Sequence, residues 1–289
     1  MLGKYLRRYF RDIKAICHNK NFSRVGLFFT YHRLCLKFAF TKVFKIKTEK
    51  DAIMGFVVEY DDFKSFFDMY IDLFIHSVYM LPKVESSEKI VIADCGANIG
   101  LSIFFFKHFF PNSKIFAFEP DKDIFRILEK NVRSNNLSNV KLYNKAVGSD
   151  KRNIKFYSSS GCGGSQGNTI YKDLAHSKGF KESIVEEITL SSLNLKMIDV
   201  LKIDVEGAEG IIFEDLYKNN LLKKVELINL EYHYGRNLKN NNLSLILKRI
   251  EDSNFDYIIK SEEVANEINS REDFIKARNY HLILQCFRE

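Results

Sequence analysis

The stretch from 90 to 100, IVIADCGANIG, constrains the fold more than any other part of this chain of 289 residues. An apolar run ends in Asp94, glycines follow at Gly96 and Gly100, and an apolar, helix-like segment covers 101–110. Glycine lets the backbone approach a ligand closely, because no Cβ stands in the way. In open α/β sheets, ligands bind at the carboxyl ends of the strands. The stretch therefore predicts a nucleotide-cofactor site, although its spacing differs from the G-x-G-x-x-G dinucleotide fingerprint.

Two further strand ends carry acids. An apolar run at 114–118 ends in Glu119 and Pro120, and LKIDVEGAEG at 201–210 repeats the order strand, acid, glycine, helix. Glu119 can accept hydrogen bonds from both ribose hydroxyls of a cofactor, or it can be an ordinary acid before a helix that starts with Pro. Three acidic strand ends favour a positively charged cofactor that contains adenosine over a pyrophosphate cofactor. S-adenosylmethionine fits, because it carries a sulfonium and an ammonium group.

Five segments together resemble the FkbM family of S-adenosylmethionine-dependent methyltransferases. They are DCGANIG (94–100), AFEPDKDIFRILEKNVRSNN (117–136), LYNKAVGSD (142–150), LKIDVEGAEG (201–210) and LEYHY (230–234). The resemblance covers roughly residues 60–235 and implies a class I, Rossmann-like methyltransferase that methylates oxygen. It also implies that the last strand of the sheet is inserted antiparallel.

From residue 90 onward, strand and helix patterns alternate. Strands are predicted at 90–94, 114–118, 140–144, 198–203, 225–230, 255–260 and 280–286, and helices near 98–109, 121–135, 207–219 and 241–253. This alternation predicts an α/β fold with a mainly parallel seven-stranded sheet and helices on both faces. Extra strands are predicted at 153–157 and 183–190. The Gly/Ser-rich stretch 158–168 between them predicts either a lid on the substrate side or a mobile connection.

The first 50 residues form a basic extension with 13 Lys and Arg against Asp12 and Glu49. Apolar residues recur at helical spacing over 1–16, so an amphipathic helix is predicted there. The extension can be a helical cap on the domain, an anchor on an anionic membrane surface or, less specifically, a nucleic-acid contact. We predict a methyltransferase domain at 51–289, with a strand and a helix at 51–82 before a catalytic core at 88–289.

Cysteine usage and hydropathy bear on the compartment. The five cysteines are widely spaced and include no C-x-x-C, which argues against a disulfide framework and for a reducing compartment. No cleavable secretory signal is recognisable, and lysines and arginines interrupt the apolar stretch 25–46. We expect a cytoplasmic protein that touches the inner face of the cytoplasmic membrane if the extension is an anchor.

The cofactor carries the reactive carbon, so the protein must mainly position it and exclude water. Asp94, Gly96, Asn98 and Gly100 are expected to hold the methionine end. Glu119 is expected to take the ribose hydroxyls and Pro120 to shape the turn. The adenine is expected to lie against Asn144, Lys145 and Ala146, and Asp204 is expected to contribute to the cofactor site as well.

An oxygen nucleophile needs a base that removes its proton. The candidates follow the fourth and fifth strands and are Asp204, Glu206, Glu209, Glu231 and His233. His233, with an ordinary pKa of about 6.5, is the predicted base, oriented by Glu231 or Asp204. Two other interpretations stay open: a structural role for His233, or a divalent Mg²⁺ or Mn²⁺ held by Asp204, Glu231 and His233. Glu206 and Glu209 fit equally well in the first turn of a helix.

The first functional hypothesis is O-methylation of a sugar hydroxyl in a surface glycan or a glycolipid precursor, as the resemblance implies. The second is a nucleic-acid methyltransferase, but the chain has neither an N-P-P-[YF] site nor a Cys-Pro, so no nucleic-acid partner is expected. The third is a non-catalytic S-adenosylmethionine-binding module. The intact acids at the strand ends argue against the third hypothesis.

Overall fold

The computed structural model describes residues 2–44, 48–85, 87–159, 168–172, 180–235, 238, 240–261 and 279–288. Most of the predicted loop at 158–168, including Cys162, lies outside these residues. No helix in the described part combines the length and the apolar content that a membrane crossing requires.

Helices and strands alternate along most of the chain. The helices are α1 (Leu2–His18), α2 (Arg24–Phe44), α3 (Phe63–Tyr70), α4 (Leu101–Phe109), α5 (Lys122–Ser134), α6 (Glu209–Lys218) and α7 (Leu243–Glu251). The strands are β1 (Lys50–Ile53), β2 (Phe56–Glu59), β3 (Val91–Cys95), β4 (Lys114–Phe118), β5 (Val140–Tyr143), β6 (Ala146–Val147), β7 (Asn153–Ser159), β8 (Phe180–Ile188), β9 (Ile198–Ile203), β10 (Val225–Gly235), β11 (Asp256–Ser261) and β12 (Asn279–Phe287). A π-helical turn at Ile71–Ile75 continues α3.

The central sheet has seven strands in the order β11-β12-β10-β9-β3-β4-β5. The run from β10 to β5 is parallel throughout. β12 runs antiparallel to both of its neighbours, β10 and β11. These pairings confirm the predicted α/β class, the mainly parallel sheet and the antiparallel insertion.

Helices cover both faces of this sheet. Successive residues of a strand point to opposite faces, and the two hydrophobic cores divide accordingly. Val200 packs in the core that contains Leu101 of α4, whereas Leu201 packs in the core that contains Phe213 of α6. The prediction of helices on both faces is therefore confirmed.

Two predicted strands have different bounds in the structure. The strand predicted at the start of 51–82 is the hairpin β1–β2, because Met54 and Gly55 both adopt positive φ (47° and 87°) and reverse the chain. The strand predicted at 225–230 extends to Gly235, because pairing with β12 continues after pairing with β9 stops. Glu231 and His233 were expected beyond the strand end, and that placement is wrong: they lie within β10, with His233 opposite His281.

The predicted extra strands at 153–157 and 183–190 form a small second sheet. β7 and β8 pair antiparallel, and β6 pairs parallel with β8. β6 follows β5 directly in the chain. The second sheet therefore lies beside the carboxyl ends of β4 and β5 in the central sheet.

The basic extension packs on the domain. Ile16, Leu27 and Leu34 are buried in the same hydrophobic core as Phe105 of α4. Asp12, the only acid in α1 and α2, is fully buried and accepts a hydrogen bond from the Tyr31 hydroxyl (3.1 Å). The predicted boundary between extension and domain at residue 50 stays a prediction.

Candidate active site

A cavity of about 510 Å³ lies at the carboxyl ends of the parallel strands. The turns after β3, β4 and β9 form much of its wall, together with the extended part of β10. Predicted site residues on the wall are Gly96, Asn98, Glu119, Pro120, Lys145, Ala146, Asp204, Glu231 and His233. One cavity therefore brings together residues that are up to about half of the chain apart.

Lys202 joins the turn after β3 to the end of β9. Its Nζ donates to the Gly96 carbonyl (2.5 Å) and lies 3.2 Å from Asp94 Oδ1 and 3.6 Å from Asp204 Oδ2. Burial opposes its charge, but the neighbouring Asp94 above all raises the pKa of Lys202 well above its ordinary value. These contacts of Lys202 hold the ends of β3 and β9 together.

Gly96 is required by this close approach. Its φ is +83°, and a Cβ there would lie 1.8 Å from the Asp204 carbonyl oxygen. Asp94 lies behind the cavity wall, fully buried, where it accepts a hydrogen bond from Ser102 Oγ (2.5 Å). Gly100 directly precedes α4, has a φ of +96° and faces the side chain of Leu128 in α5. Asp94 and Gly100 thus shape the turn from behind, whereas Gly96 and Asn98 face the cavity.

Glu119 is almost completely buried at the cavity wall. Its Oε2 accepts the Asn98 N–H (3.0 Å) and its Oε1 accepts the Asp121 N–H (2.9 Å). Burial raises the pKa of Glu119 to about 8, although these backbone hydrogen bonds favour the charged form. Each carboxylate oxygen has a second lone pair, so Glu119 can still accept the two hydroxyls of a ribose.

The three residues predicted near the adenine have different positions. The Asn144 side-chain amide donates to the carbonyls of Glu119 (2.9 Å) and Pro120 (3.1 Å), so Asn144 supports the turn from outside the main cavity. Lys145 and Ala146 line the cavity. The Lys145 ammonium also pairs with Glu186 of β8 (2.6 Å).

His233 is surrounded by carboxylates. Its Nδ1 lies 2.8 Å from Glu209 Oε1, and its Nε2 lies 3.4 Å from Glu206 Oε2 and 3.5 Å from Glu231 Oε1. Asp204 Oδ1 is 4.0 Å from the same Nε2. Because Nδ1 is engaged by Glu209, Nε2 is the nitrogen that can exchange a proton with a substrate.

Glu209 is the buried acid that orients the imidazole. It begins α6, is fully buried, and accepts hydrogen bonds from the Gly207 N–H (3.0 Å) and the Asn241 side chain (2.5 Å). The Asn241 side chain also donates to the His233 carbonyl (2.8 Å). Both sides of the His233–Glu209 contact are therefore fixed by the same asparagine.

Charges in this cluster shift the pKa values in opposite directions. Burial opposes charging of His233, but Glu206, Glu209 and Glu231 outweigh it and raise its pKa well above the ordinary value. Burial and repulsion from Glu231 raise the pKa of Asp204 to about 7. Burial alone would also raise the pKa of Glu231, but the contact with His233 lowers it to about 2. The cluster therefore favours an imidazolium beside an ionised Glu231 in the free protein.

Tyr79 reaches the cavity from the segment before β3. The segment 78–80, here called the strap, is fixed by buried amides of two central strands. Asn229 of β10 donates to the Met80 carbonyl (2.9 Å) and accepts its N–H (2.7 Å), and Gln285 of β12 donates to the Val78 carbonyl (2.7 Å). Burial raises the pKa of Tyr79 well above its ordinary value, so its hydroxyl stays neutral.

Comparison with known proteins identifies the family of the chain. The model of the methyltransferase FkbM domain matches residues 94–280, more than half of the chain. The chain belongs to the FkbM methyltransferase family. The matched range contains every predicted site residue, including the glycine turn and the carboxylate cluster around His233.

Two curated methyltransferases are similar to this FkbM chain. Methyltransferase sdnD of Sordaria araneosa is 29% identical over 170 residues, which cover 49% of the chain and 65% of the relative. Methyltransferase 1 of Beauveria bassiana is 28% identical over 168 residues, which cover 50% of the chain and 65% of the relative. The chain thus spans just under two thirds of the length of each. Among solved structures, methyltransferase FkbM from Methylobacillus flagellatus is similar with a TM-score of 0.46 and 12% identity, over 78% of this chain and 53% of that one.

Membership in the FkbM methyltransferase family implies S-adenosylmethionine as the methyl donor. The part of the cavity around His233 fits this cofactor in charge, because the carboxyl groups of Asp204, Glu206 and Glu231 lie together there. Opposite charges in a partly buried site attract a sulfonium and an ammonium group. Glu119 supplies the acceptor that a ribose diol needs.

The carboxylate cluster also has the composition of a cation site. Asp204, Glu206 and His233 each offer one ligand atom, and these atoms lie within 4.8 Å of one another. The ligand set predicted from the sequence was Asp204, Glu231 and His233, so Glu206 replaces Glu231 in the group that the structure brings together. Oxygen ligands with one imidazole suit Mg²⁺ or Mn²⁺, but the Lys202 ammonium already binds Asp204.

Several residues of the FkbM site were missed by sequence analysis. Asn241 carries no signal in the sequence, because it lies in the connection before α7. Thr169 holds the Glu206 carbonyl through its hydroxyl (2.7 Å). His281 was recognised only as a strand residue, yet its Nε2 lies 3.8 Å from Glu231. Arg8 and Arg11 of α1 line the outer part of the cavity, and only the folded chain brings them there.

Proposed function

We propose that this protein is an S-adenosylmethionine-dependent O-methyltransferase that acts on a sugar hydroxyl of a surface glycan or a glycolipid precursor. The observation that carries the proposal is the position of His233 Nε2. It lies on the wall of the same cavity as Glu119 and Gly96, with its ring fixed by Glu209. A base held in this way can take a proton from a hydroxyl that approaches the cofactor's methyl group.

S-adenosylmethionine supplies an electrophilic methyl group with a neutral thioether as the leaving group. Gly96, Asn98 and Glu119 would hold this cofactor, and transfer of its methyl group to the acceptor oxygen would leave the carbon–sulfur electrons on sulfur. The hydroxyl proton moves to His233 Nε2, and Glu209 and Glu231 stabilise the resulting imidazolium. Lys202 holds Asp204 and the Gly96 turn in place during this step.

The raised pKa of His233 adds a requirement to this mechanism. An imidazolium cannot accept a proton, so His233 must first lose one. A cationic cofactor beside the cluster opposes the positive charge on the ring. Cofactor binding is therefore expected to lower the pKa of His233 and to prepare the base.

The outer part of the cavity supports a polyhydroxylated acceptor. Arg8, Arg11, Asp68 and Asp72 line it, and charged side chains make strong hydrogen bonds to hydroxyls. The cysteines in the described part (Cys17, Cys35, Cys95 and Cys286) are free, as expected for the reducing cytoplasm that we propose as the compartment. We propose that no divalent metal is needed, because Lys202 already neutralises Asp204.

The test replaces His233 by alanine and measures methyl transfer from labelled S-adenosylmethionine. Lipid-linked oligosaccharides and sugar nucleotides serve as acceptors, with oligonucleotides as the comparison. We expect kcat to fall by about 10²–10⁴, the usual contribution of a general base, while cofactor affinity measured by calorimetry does not fall, because no cation is left to oppose the cofactor's charge. Chelator is expected to leave the wild-type rate unchanged.

Wild-type turnover in the His233→Ala protein would remove the proposed base, and Asp204 would be the next carboxylate to examine. Loss of activity with chelator, restored by Mg²⁺ or Mn²⁺, would show a metal requirement instead. Transfer to oligonucleotides but to no glycan would contradict the proposed acceptor class.

A further inference from the structure

Helix α2 is apolar on two opposite sides. Leu27, Tyr31 and Leu34 form the inner side and are buried against the domain. On the opposite, outer side of α2, apolar residues also recur at helical spacing. The central ones, Val25, Leu36 and Val43, are 65%, 73% and 72% exposed. With 3.6 residues per turn, these three positions lie within roughly 20° of one another around the helix axis. The outer side is therefore a continuous apolar stripe and not a set of scattered side chains.

Helix α1 extends this stripe. Leu6 and Phe10 of α1 are 48% and 65% exposed. The Tyr9 hydroxyl lies 3.0 Å from His32 Nε2, and the His32 ring lies 4.1 Å from the ring of Phe28. These contacts join the two helices into one surface, here called the outer face of α1 and α2.

The outer face is where exposed apolar side chains concentrate. Ten of the seventeen exposed large apolar side chains in the described part of the chain lie on α1 and α2. Isolated exposed apolar residues are ordinary, but a contiguous patch marks a surface that contacts something.

The charged side chains that α1 and α2 themselves expose are all of one sign. Asp12 is the only acid in α1 and α2, and it is buried. Lys14, Lys20, Arg24 and Lys42 are exposed beside the apolar stripe. An anionic surface is therefore complementary to this face, and two copies of the face would bring cations against cations.

We propose that the outer face of α1 and α2 docks on the surface of an anionic lipid bilayer. Aromatic and aliphatic side chains enter the boundary between headgroups and acyl chains, and the basic side chains contact lipid phosphates. Lysine and arginine suit this position, because their apolar stems can lie along the membrane while their charges reach the headgroups. The inner side of α2 stays packed on the domain, so both helices lie along the membrane plane.

The docking surface and the cavity share a helix. Arg8 and Arg11 of α1 line the cavity, and Leu6 and Phe10 of the same helix belong to the outer face. A docked protein would therefore hold the outer part of its cavity close to the lipid headgroups. The membrane contact itself does not depend on the proposed methyl transfer.

The experiment measures sedimentation of the full chain with vesicles. Phosphatidylcholine vesicles are compared with phosphatidylcholine–phosphatidylglycerol vesicles. The salt is raised from about 0.1 M to about 1 M, which shortens the screening length from about 10 Å to about 3 Å. We expect binding to the anionic vesicles only, and we expect it to fall as salt rises.

Two sets of variants separate the contributions. The apolar set is Val25→Ser, Leu36→Ser and Val43→Ser together, and the control set is Ile184→Ser, Met197→Ser and Leu245→Ser, which are also exposed but lie elsewhere. The apolar set should weaken vesicle binding by about tenfold or more, because three side chains no longer enter the interface. Arg24→Glu with Lys42→Glu should weaken binding to a similar extent through charge. Thermal unfolding of each variant confirms that it folds.

Binding that is equal on both kinds of vesicle, or unchanged in the apolar set, would overturn the proposal. So would a lipid-free dimer that forms in the wild-type protein and is lost in the apolar set, because the face would then join two copies of this chain. Vesicle binding and methyl transfer are read separately, so failure of one is distinguishable from failure of the other.

Discussion

At the scale of single residues, Glu209 decides the chemistry of His233. It is fully buried, contacts Nδ1 at 2.8 Å and contributes to the raised pKa of the imidazole. Removing its charge should make the ring easier to deprotonate. Glutamine has nearly the same shape, and its NH2 group would face the Asn241 amide in place of the oxygen that accepts from it.

In Glu209→Gln, the rising limb of the kcat–pH profile should move to lower pH by roughly 1–2 units, the usual effect of one nearby opposite charge. The direction follows because a carboxylate favours the imidazolium, so its loss lowers the pKa of His233. Glu214→Gln is the matched control, since Glu214 belongs to the same helix but is exposed. An unshifted profile in Glu209→Gln would mean that His233 is not the titrating group.

The raised pKa of Glu119 predicts that cofactor binding depends on pH. Its pKa of about 8 means that the free protein carries a neutral carboxyl at pH 7, whereas accepting both ribose hydroxyls requires the ionised form. Affinity should therefore rise with pH and level off above about 8, by up to about tenfold per unit well below that value. Calorimetry with 5′-methylthioadenosine, which lacks an amine that titrates, measures the effect. Glu119→Gln should bind more weakly and without the pH dependence.

Part of this site could be predicted from the sequence and part could not. The positions of Gly96, Asn98 and Glu119 follow from a local pattern, since strand, turn and helix are adjacent in the chain. The surroundings of His233 do not, because they depend on how far β10 extends, and β12 pairing sets that length. The contact of Lys202 with the Gly96 carbonyl does not follow either, because it joins residues that are distant in sequence.

At the scale of elements, the strap depends most on one asparagine. Asn229 of β10 is buried and makes both of its hydrogen bonds to the backbone of Met80. A sequence cannot show this, because an asparagine among apolar strand residues carries no sign of its partner. The strap carries Tyr79 to the cavity, so a loosened strap should affect catalysis as well as stability.

Asn229→Ala should lower the free energy of unfolding by about 2–4 kcal/mol, because it leaves a buried backbone N–H and C=O without partners. Gln285→Ala removes a single hydrogen bond to the strap and should cost about half as much. Urea unfolding measures both variants, and kcat should fall in the same order. Equal stability of Asn229→Ala and the wild type would show that the strap contributes nothing to folding.

At the scale of the whole molecule, the basic extension is part of the folded body. Asp12 of α1 accepts the Tyr31 hydroxyl of α2 and lies 2.9 Å from His76 Nε2, just after the π-helical turn. Charge counting predicted a strongly basic extension and gave no reason for the one acid within its two helices. The structure supplies the reason, because this acid joins three elements.

Asp12→Ala should destabilise the protein by about 3–5 kcal/mol, the effect of removing one partner from a buried ionic group. The control is Asp123→Ala, whose ion pair with Arg126 is exposed and should contribute less than about 1 kcal/mol. Because α1 and α2 share a core with α4, wild-type unfolding should be one transition by fluorescence and by circular dichroism. Two separate transitions would show that the extension folds independently.

The strap also has a consequence for how the chain acquires its cavity. The hydrogen bonds of Asn229 to Met80 and of Gln285 to Val78 hold the strap, and they join residues 149 and 207 positions apart in the sequence. Closing such long loops loses chain entropy before any contact compensates, so contacts of this kind form slowly. We therefore expect the cavity to be completed late, after the sheet has assembled. S-adenosylmethionine would then slow unfolding without accelerating refolding, because its binding site is absent from the transition state.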